Sequence, residues 1–375
     1  MSRLSNFWEA FPNHGAPFPS QTMGSRKTSL GRKIIRVTPS ERTRIIDGIA
    51  GSEAARAGHP SRGLLVLGDA GVACHEFGDV LGVSAEAPLP RIGITGQFFS
   101  HDGACGIASM LHYWGLDVVV SSPIGRGQNS AIKRRLLRKE SLPHIPLCTG
   151  LGQSIRCTRR AFAGGHQLGH FESEELIPAA SRKEVARARA SFEHRLGKAG
   201  LFCILDQGAA GLSTEIISRL AAQAKRLKAS VFYEPRSTHF VSNRAFDIIK
   251  VNQNQIRQWL GTNIDSDRKA VMALEEVFAD SAHASVVCTR GDRGILVYDR
   301  SGPSPKVFLV TPRPKKIFDL IAAGDVVTAS LAFCIAKGYT MLEAACFAAT
   351  AAELSLDQRH DKHLNVQSVF NNRDP

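Results

Sequence analysis

The chain has 375 residues, of which 43% are hydrophobic and 22% are charged, enough apolar material for one large core or two small ones. Its formal net charge of +13 fits anionic partners such as nucleotides, sugar phosphates, nucleic acid or a membrane surface. No apolar stretch is long enough to span a bilayer, and the first residues lack the apolar segment of a signal peptide. We therefore expect a cytoplasmic protein without a membrane partner.

The cysteines and the basic residues argue against two further classes of protein. The eight cysteines include no Cys-x-x-Cys pair, and several lie within apolar runs, which is typical of buried, reduced thiols and not of a zinc site. The densest basic run, 133–139, predicts a solvated helix face with two leucines turned inward. Because no stripe of aromatic and basic residues accompanies it, the sequence disfavours a nucleic-acid partner.

Taken in chain order, the sequence predicts a flexible extension over 1–32, rich in Pro, Ser, Gly and Asn, followed by one domain over 33–375. Residues 40–56 predict a helix ahead of the first core strand. Continuous apolar runs predict strands at 63–69, 118–120, 201–206, 230–234, 245–250 and 307–310, with helices at 104–114, 213–228 and 326–337. Such alternation predicts a parallel α/β sheet covered by helices on both faces.

Two further segments stand out from this alternation. Residues 75–99 carry prolines and alternating side chains, which predicts a small β excursion. Near the C-terminal end, Thr340 and Glu343 have the spacing of a capping box that opens the last core helix.

The most informative stretch runs from Phe318 to Thr328, where a turn of small residues opens an apolar helix. Asp325 falls in the first helical turn, where unpaired amides and the helix dipole favour an anion. A carboxylate there can accept a proton from a hydroxyl group, while the amides of Ala323, Gly324 and Asp325 stabilise charge on a phosphoryl group. The alternative is that Asp325 only stabilises the dipole of its own helix.

This stretch resembles the Asp-Thr-x-Gly-Ala-Gly-Asp motif of ribokinase-like (pfkB) sugar kinases, whose final Asp is the catalytic base. From about Gly63 to about Leu354 the chain resembles, with gaps, the heptose-phosphate kinases of the RfaE type. The resemblance implies a doubly wound, mostly parallel α/β sheet with helices on both faces and a small β lid at about 75–99. It also implies ATP and Mg²⁺ as cofactors and a sugar or sugar phosphate as substrate. Related kinases dimerise through such lids, so we expect a homodimer.

Two further motifs extend the resemblance to the nucleotide side. Residues 288–294 match the Thr-x-Gly-x-x-Gly of the nucleotide pocket, which implies that Thr289, Gly291 and Gly294 bind the nucleotide. Residues 252–255 match Asn-x-x-Glu, which implies nucleotide contact by Asn252 and organisation of Mg²⁺ through water by Gln255.

On the acceptor side, the resemblance implies substrate contacts at the ends of two strands, Asp69 and Asp206. It implies a further contact by Gly103, in the segment that resembles Gly-Gly-Ala-Ala-Asn-Val-Ala. Asp102 replaces the first Gly of this motif, and it either supplies a substrate carboxylate from another direction or is only a solvated turn residue before a helix. Arg160, near a hairpin, is expected to pair with a substrate phosphate because guanidinium binds phosphate in a bidentate manner.

Several positions depart from the family pattern. Ala73 replaces an Asp that holds sugar hydroxyls, Gly106 an Asn, Ala209 a Lys, Gln255 a Glu and Ala349 the Asn of the adenine pocket. These changes favour a second hypothesis, a catalytically silent kinase-like protein with a binding or regulatory role.

Overall fold

The computed structural model describes residues 33–56, 63–125, 127–146, 153–177, 190–206, 212, 214–235, 240–281, 284–313, 323–356 and 364–371. The predicted extension over 1–32 lies outside these residues. The strands are β1 Ile34–Val37, β2 Gly63–Gly68, β3 Val72–Val83, β4 Pro90–His101, β5 Val118–Ser122, β6 His144–Pro146, β7 Gln153–Ala163, β8 His166–Ile177, β9 Ala199–Asp206, β10 Ser230–Pro235, β11 Ile248–Asn252, β12 Ser285–Thr289, β13 Ile295–Asp299 and β14 Lys306–Val310.

The helices lie between these strands and after the last of them. They are α1 Pro39–Arg56, α2 Ala104–Tyr113, α3 Gln128–Lys139, α4 Thr214–Arg226, α5 Gln253–Leu260, α6 Asp267–Val277, α7 Ala323–Ala336, α8 Met341–Ser355 and α9 Val366–Phe370. Within the described ranges, none of them combines the length and the hydropathy needed to cross a membrane.

Ten strands form one large sheet in the order β1-β14-β13-β12-β11-β10-β9-β2-β5-β6. Only β13 runs antiparallel to its neighbours, and the other pairings are parallel. The predicted doubly wound, mostly parallel α/β fold is therefore confirmed. The sequence prediction missed four strands of this sheet: the edge strands β1 and β6, and the neighbouring strands β12 and β13.

Alternate residues of the central strands enter two separate cores, one on each face of the sheet. On β2, Leu64 and Val66 belong to a core shared with α2, α7 and α8, whereas Leu65 and Leu67 belong to a core shared with α4 and α6. All four side chains are at most 2% exposed. The strand is continuously apolar because helices cover both of its faces.

A second sheet of four strands, in the order β4-β3-β7-β8, forms the lid. The predicted β excursion at 75–99 is part of it, but the lid is larger than predicted because the hairpin of β7 and β8 joins it. One face packs Val72, Cys74 and Cys157 against Leu136 of α3. Helix α3 therefore anchors the lid to the main body.

The basic run on α3 differs from the prediction at one position. Leu136 and Leu137 are buried as predicted, but Lys133 is also fully buried. Its Nζ donates to the carbonyl of Ala70 at 3.3 Å, the carbonyl of Pro123 at 2.6 Å and Oγ of Ser122 at 2.8 Å. These acceptors, from the loop after β2 and from the end of β5 with the residue that follows it, stabilise a buried ammonium, and burial lowers the pKa of Lys133.

Candidate active site

The predicted site residues of the large sheet lie at the carboxyl ends of its parallel strands. Asp206 ends β9, Asn252 ends β11 and Thr289 ends β12, with Asn252 and Thr289 directly paired. Carboxyl ends of neighbouring parallel strands meet at one edge of a sheet, which is where ligands bind in such folds.

The turn between β12 and β13 is tight because of its second glycine. Gly294 has φ of +83°, and a Cβ built on it would lie 2.1 Å from the carbonyl oxygen of Val310. Any other residue would displace β14, so Gly294 is required by the fold whatever it contacts in a ligand. Thr289, at the start of the turn, donates from Oγ1 to the carbonyl of Val251 at 3.4 Å.

A cavity of about 990 Å³ joins this turn to the start of α7. Its lining includes the predicted nucleotide residues Thr289, Gly291 and Gly294 together with Ala323 and Gly324 of the predicted catalytic turn. The volume is at the upper end of the range for small-molecule sites. The structure thus brings five of the predicted residues to one cavity large enough for a nucleotide.

Asp325 comes directly after the lining residues Ala323 and Gly324, in the first turn of α7, and its side chain is partly buried. The residues before the helix, 314–322, lie outside the described residues. Asp325 therefore has the helix-terminal position that the sequence predicts, next to exposed Gly324.

A buried polar network underlies the first turn of α7. Lys250 Nζ donates to Glu234 Oε1 at 2.7 Å and to the carbonyl of Gly324 at 3.5 Å. Thr328 Oγ1 lies 2.6 Å from Glu234 Oε2 and 3.0 Å from the carbonyl of Gly324. The network fixes the helix start from below, and the site prediction included none of Glu234, Lys250 and Thr328. The sequence did carry a signal for this network, because Glu234 and Lys250 are charged residues within otherwise apolar strands.

On the acceptor side, Asp102 connects the start of α2 with the lid. Its Oδ1 accepts from the amide of Gly103 at 3.0 Å, and its Oδ2 accepts from Arg156 at 3.3 Å and from Thr158 Oγ1 at 3.2 Å. Gly103 has φ of +61° and ψ of −134°, a conformation that glycine adopts at little cost. Asp102 is thus held by bonds within the protein, two of them from lid strand β7.

The other acceptor residues lie on separate elements. Asp69 follows β2 and is 6% exposed, whereas Asp206 is 1% exposed and accepts from the hydroxyl of Tyr233 at 3.2 Å. Burial, together with the Asp206 carboxylate, raises the pKa of Tyr233. Arg160 lies on β7, in register with His75 of β3. Among the described residues, none of the predicted acceptor residues lines the 990 Å³ cavity.

Asn252 and Gln255 form a reciprocal capping box at the start of α5. Asn252 Oδ1 accepts from the amide of Gln255 at 2.9 Å, and Gln255 Oε1 accepts from the amide of Asn252 at 2.8 Å. Gln255 Nε2 also donates to the carbonyl of Pro235. Both side chains therefore have structural roles that the prediction did not include. The role of Gln255 near Mg²⁺ stays a prediction.

Within the described residues, no group of three or more His, Cys, Asp or Glu side chains is placed to hold a metal ion. Glu234, a carboxylate beneath the helix start, already bonds Lys250 and Thr328.

Comparison with known proteins identifies the family. The profile described as "pfkB family carbohydrate kinase" matches residues 103–365. The chain belongs to the pfkB family. Similar relatives include the "Bifunctional protein HldE" of Gluconacetobacter diazotrophicus, 26% identical over 292 residues, and that of Paramagnetospirillum magneticum, 27% identical over 295 residues. These alignments cover 77% and 78% of this chain but only 59% of each relative.

Solved structures of two kinases share the fold. Phosphofructokinase-2 from Escherichia coli in complex with substrates and products has a TM-score of 0.62 at 17% identity, covering 82% of this chain and 97% of that one. Ribokinase of Arabidopsis thaliana complexed with ribose and ATP has a TM-score of 0.58 at 13% identity, covering 83% and 98%. At these identities the likeness establishes the ribokinase-like fold of this pfkB family member.

Proposed function

We propose that the protein transfers the terminal phosphoryl group of ATP to a hydroxyl group of a sugar or sugar phosphate, with a heptose phosphate as the first candidate. The main observation behind this proposal is that one cavity joins the glycine turn after β12 to the start of α7. Membership of a carbohydrate kinase family and similarity to HldE proteins support a sugar acceptor.

In the proposed mechanism, the triphosphate lies at the amino end of α7. The amides of Ala323, Gly324 and Asp325 stabilise charge on the transferred group, and the Asp325 carboxylate accepts the proton of the attacking hydroxyl. Lys250 and Glu234 hold this first turn in place, so that the donors are oriented before the substrate binds. Mg²⁺ enters as part of the Mg·ATP substrate and neutralises the phosphate charge.

The acceptor is proposed to bind between the main sheet and the lid. Asp69 and Asp206 lie at the ends of adjacent strands there, and Asp102 and Gly103 lie where the lid meets α2. Arg160 is proposed to pair with a phosphate carried by the acceptor. Because Ala73 is apolar and only 3% exposed, the contacts that hold the sugar hydroxyls must come from these other residues.

The second candidate is a catalytically silent protein that binds a ligand through the same fold. It is favoured by the apolar Ala73 and by the hydrogen bonds that occupy Asp102 within the protein. This candidate predicts no turnover with any sugar acceptor.

Two measurements separate the candidates. Calorimetric titration with Mg·ATP is expected to show binding, which Ala352→Phe abolishes by filling part of the cavity, whereas Ala131→Phe on the exposed face of α3 leaves it unchanged. A screen for ADP release over sugars and sugar phosphates, heptose phosphates included, is then expected to identify the acceptor. Absence of nucleotide binding contradicts the kinase proposal, and binding without turnover favours the silent one.

We also propose that the lid forms a homodimer. Its tip exposes large apolar side chains that two copies would bury against each other: Val80, Leu81, Val83, Leu89, Ile94, Leu168 and Phe171, each at least 40% exposed.

A further inference from the structure

A second cavity lies near the β6 edge of the large sheet, beside the C-terminal half of α3. Its volume of about 550 Å³ falls within the usual range for small-molecule sites, and it shares no lining residue with the 990 Å³ cavity. We call it the edge pocket. Its walls come from Ile124, from Arg134, Leu137 and Arg138 of α3, and from residues within 141–146. None of these described lining residues is one of the predicted site residues.

The edge pocket carries two cationic groups. Arg134 and Arg138 are four residues apart, so their side chains lie on the same face of α3. Arg134 donates from one terminal nitrogen to the carbonyl of Gly125, which orients the guanidinium and leaves other N–H groups for a ligand. Within the described part of the chain, neither arginine pairs with a carboxylate, and the lining includes no Asp or Glu.

His144, the other titratable residue of the lining, is uncharged near neutral pH. Its Nε2 lies 3.0 Å from Oγ of Ser122, and burial, with the Lys133 ammonium nearby, lowers its pKa to about 3. The charge of the edge pocket therefore comes from the two guanidinium groups. Together they match the charge of a phosphate monoester, about −1.5 to −2 near neutral pH.

The remaining walls of the edge pocket are mostly apolar. Leu137 and Leu142 are buried, and Ile124 packs against the same core. Ser141 is the one described lining residue with a side-chain hydroxyl group. A ligand body rich in hydroxyl groups would lose hydrogen bonds to water here, so the walls favour an aromatic or aliphatic body over a sugar.

We propose that the edge pocket binds a phosphate monoester with an apolar body. Its phosphate group bonds both arginines, because guanidinium groups bind phosphate oxygens in a bidentate manner. Its apolar body packs against the two leucines. The basic run of α3 then has a role beyond solvation, since two of its cations form a binding site. The inference does not depend on the proposed kinase function, because the edge pocket is separate from the proposed ATP cavity.

Calorimetry of the wild-type protein with phenyl phosphate provides the first test. We expect a dissociation constant of about 1 mM or tighter. Inorganic phosphate lacks the apolar body and benzyl alcohol lacks the charge, so each should bind at least about tenfold more weakly. Absence of phenyl phosphate binding would overturn the inference, and so would affinities for phenyl phosphate and inorganic phosphate that agree within about twofold.

Charge reversal at the pocket provides the second test, because it locates the bound anion. Arg138 is exposed, so Arg138→Glu leaves the contact between Arg134 and Gly125 in place. We expect this variant to bind phenyl phosphate at least about tenfold more weakly, because it loses a bond to phosphate and adds repulsion.

Lys139→Glu is the matched control for this charge reversal. Lys139 is also exposed and lies in the same last turn of α3, but it does not line the edge pocket. This variant should keep the wild-type affinity for phenyl phosphate within about twofold. Equal weakening in Arg138→Glu and Lys139→Glu would mean that the ligand responds only to the net charge of the helix. Unchanged affinity in Arg138→Glu would place the ligand elsewhere, and either result contradicts the inference.

Discussion

Single charged residues inside this protein are held by acceptors or counter-charges that come from distant parts of the chain. Lys133, Lys250 and Arg42 are all buried, and each bonds groups on other elements. Sequence patterns placed Asp325 at a helix start and Gly291 and Gly294 in a turn, because helix starts and turns are defined locally. The burial of Lys133 could not be predicted, because its acceptors follow β2 and lie at the end of β5, and these segments meet only in the folded sheet.

His144, a neighbour of Lys133, leads to a prediction about the stability of the protein at acid pH. Ser122, which accepts from Lys133, lies 3.0 Å from Nε2 of His144 and is placed to donate to a neutral imidazole. Burial, with Lys133 nearby, lowers the pKa of His144 to about 3. Below pH 6.5 the unfolded chain therefore binds a proton that the folded chain does not, and stability falls with decreasing pH.

Between pH 6.5 and pH 5 this histidine should remove about 1–2 kcal/mol from the free energy of unfolding. Urea unfolding of wild type and His144→Gln at both pH values checks this, because glutamine keeps an acceptor for Ser122 but does not titrate. An equal pH dependence in the two proteins would show that His144 is protonated normally in the folded state.

At the scale of whole elements, apolar runs and capping patterns predicted most of the large sheet and its helices. The capping box at Thr340 is present, with Glu343 Oε2 accepting from the Thr340 amide at 2.7 Å. Strand β1 was missed because its four residues follow a segment without periodicity. Lid strands β7 and β8 were missed as strands because they carry many polar side chains, and their pairing with β3 depends on contacts far apart in sequence.

Helix α8 offers a direct test of its cap. Thr340→Ala removes the hydroxyl that accepts from the amide of Glu343 at 3.3 Å, and should lower the free energy of unfolding by about 1 kcal/mol. Ser304→Ala, at an exposed loop position, is the control and should change it by less than about 0.5 kcal/mol. Denaturant unfolding measures both values, and equal stabilities would mean that the cap contributes nothing.

At the scale of the whole molecule, the lid and the main body are distinct layers joined near Asp102 and α3. The apolar tip of the lid predicts a dimer, so light scattering at micromolar concentration should give twice the mass of one chain. Val83→Glu with Leu89→Glu should produce a monomer, because charged groups would be buried in the interface. Leu227→Glu, equally a surface leucine but on the main body, should remain dimeric. A wild-type protein that is strictly monomeric contradicts the lid interface.

The structure brings more of the predicted nucleotide residues to one cavity than of the predicted acceptor residues. Thr289, Gly291 and Gly294 meet Ala323 and Gly324 at one cavity because strand ends and helix starts are defined locally. The acceptor residues are spread over β2, β7, β9 and the start of α2. Their arrangement depends on how the lid sits on the body, which single motifs do not encode.

The central claim is that Asp325 acts as the general base of a phosphoryl transfer, and turnover of Asp325→Asn tests it most directly. Asparagine keeps the size of the side chain but cannot accept the proton, so kcat should fall by about a hundredfold or more. Calorimetric affinity for Mg·ATP should change little because the amides of the helix start remain, and stability should drop by at most about 1 kcal/mol. Turnover equal to that of the wild type would contradict the catalytic assignment and leave Asp325 with only a role in stabilising its helix.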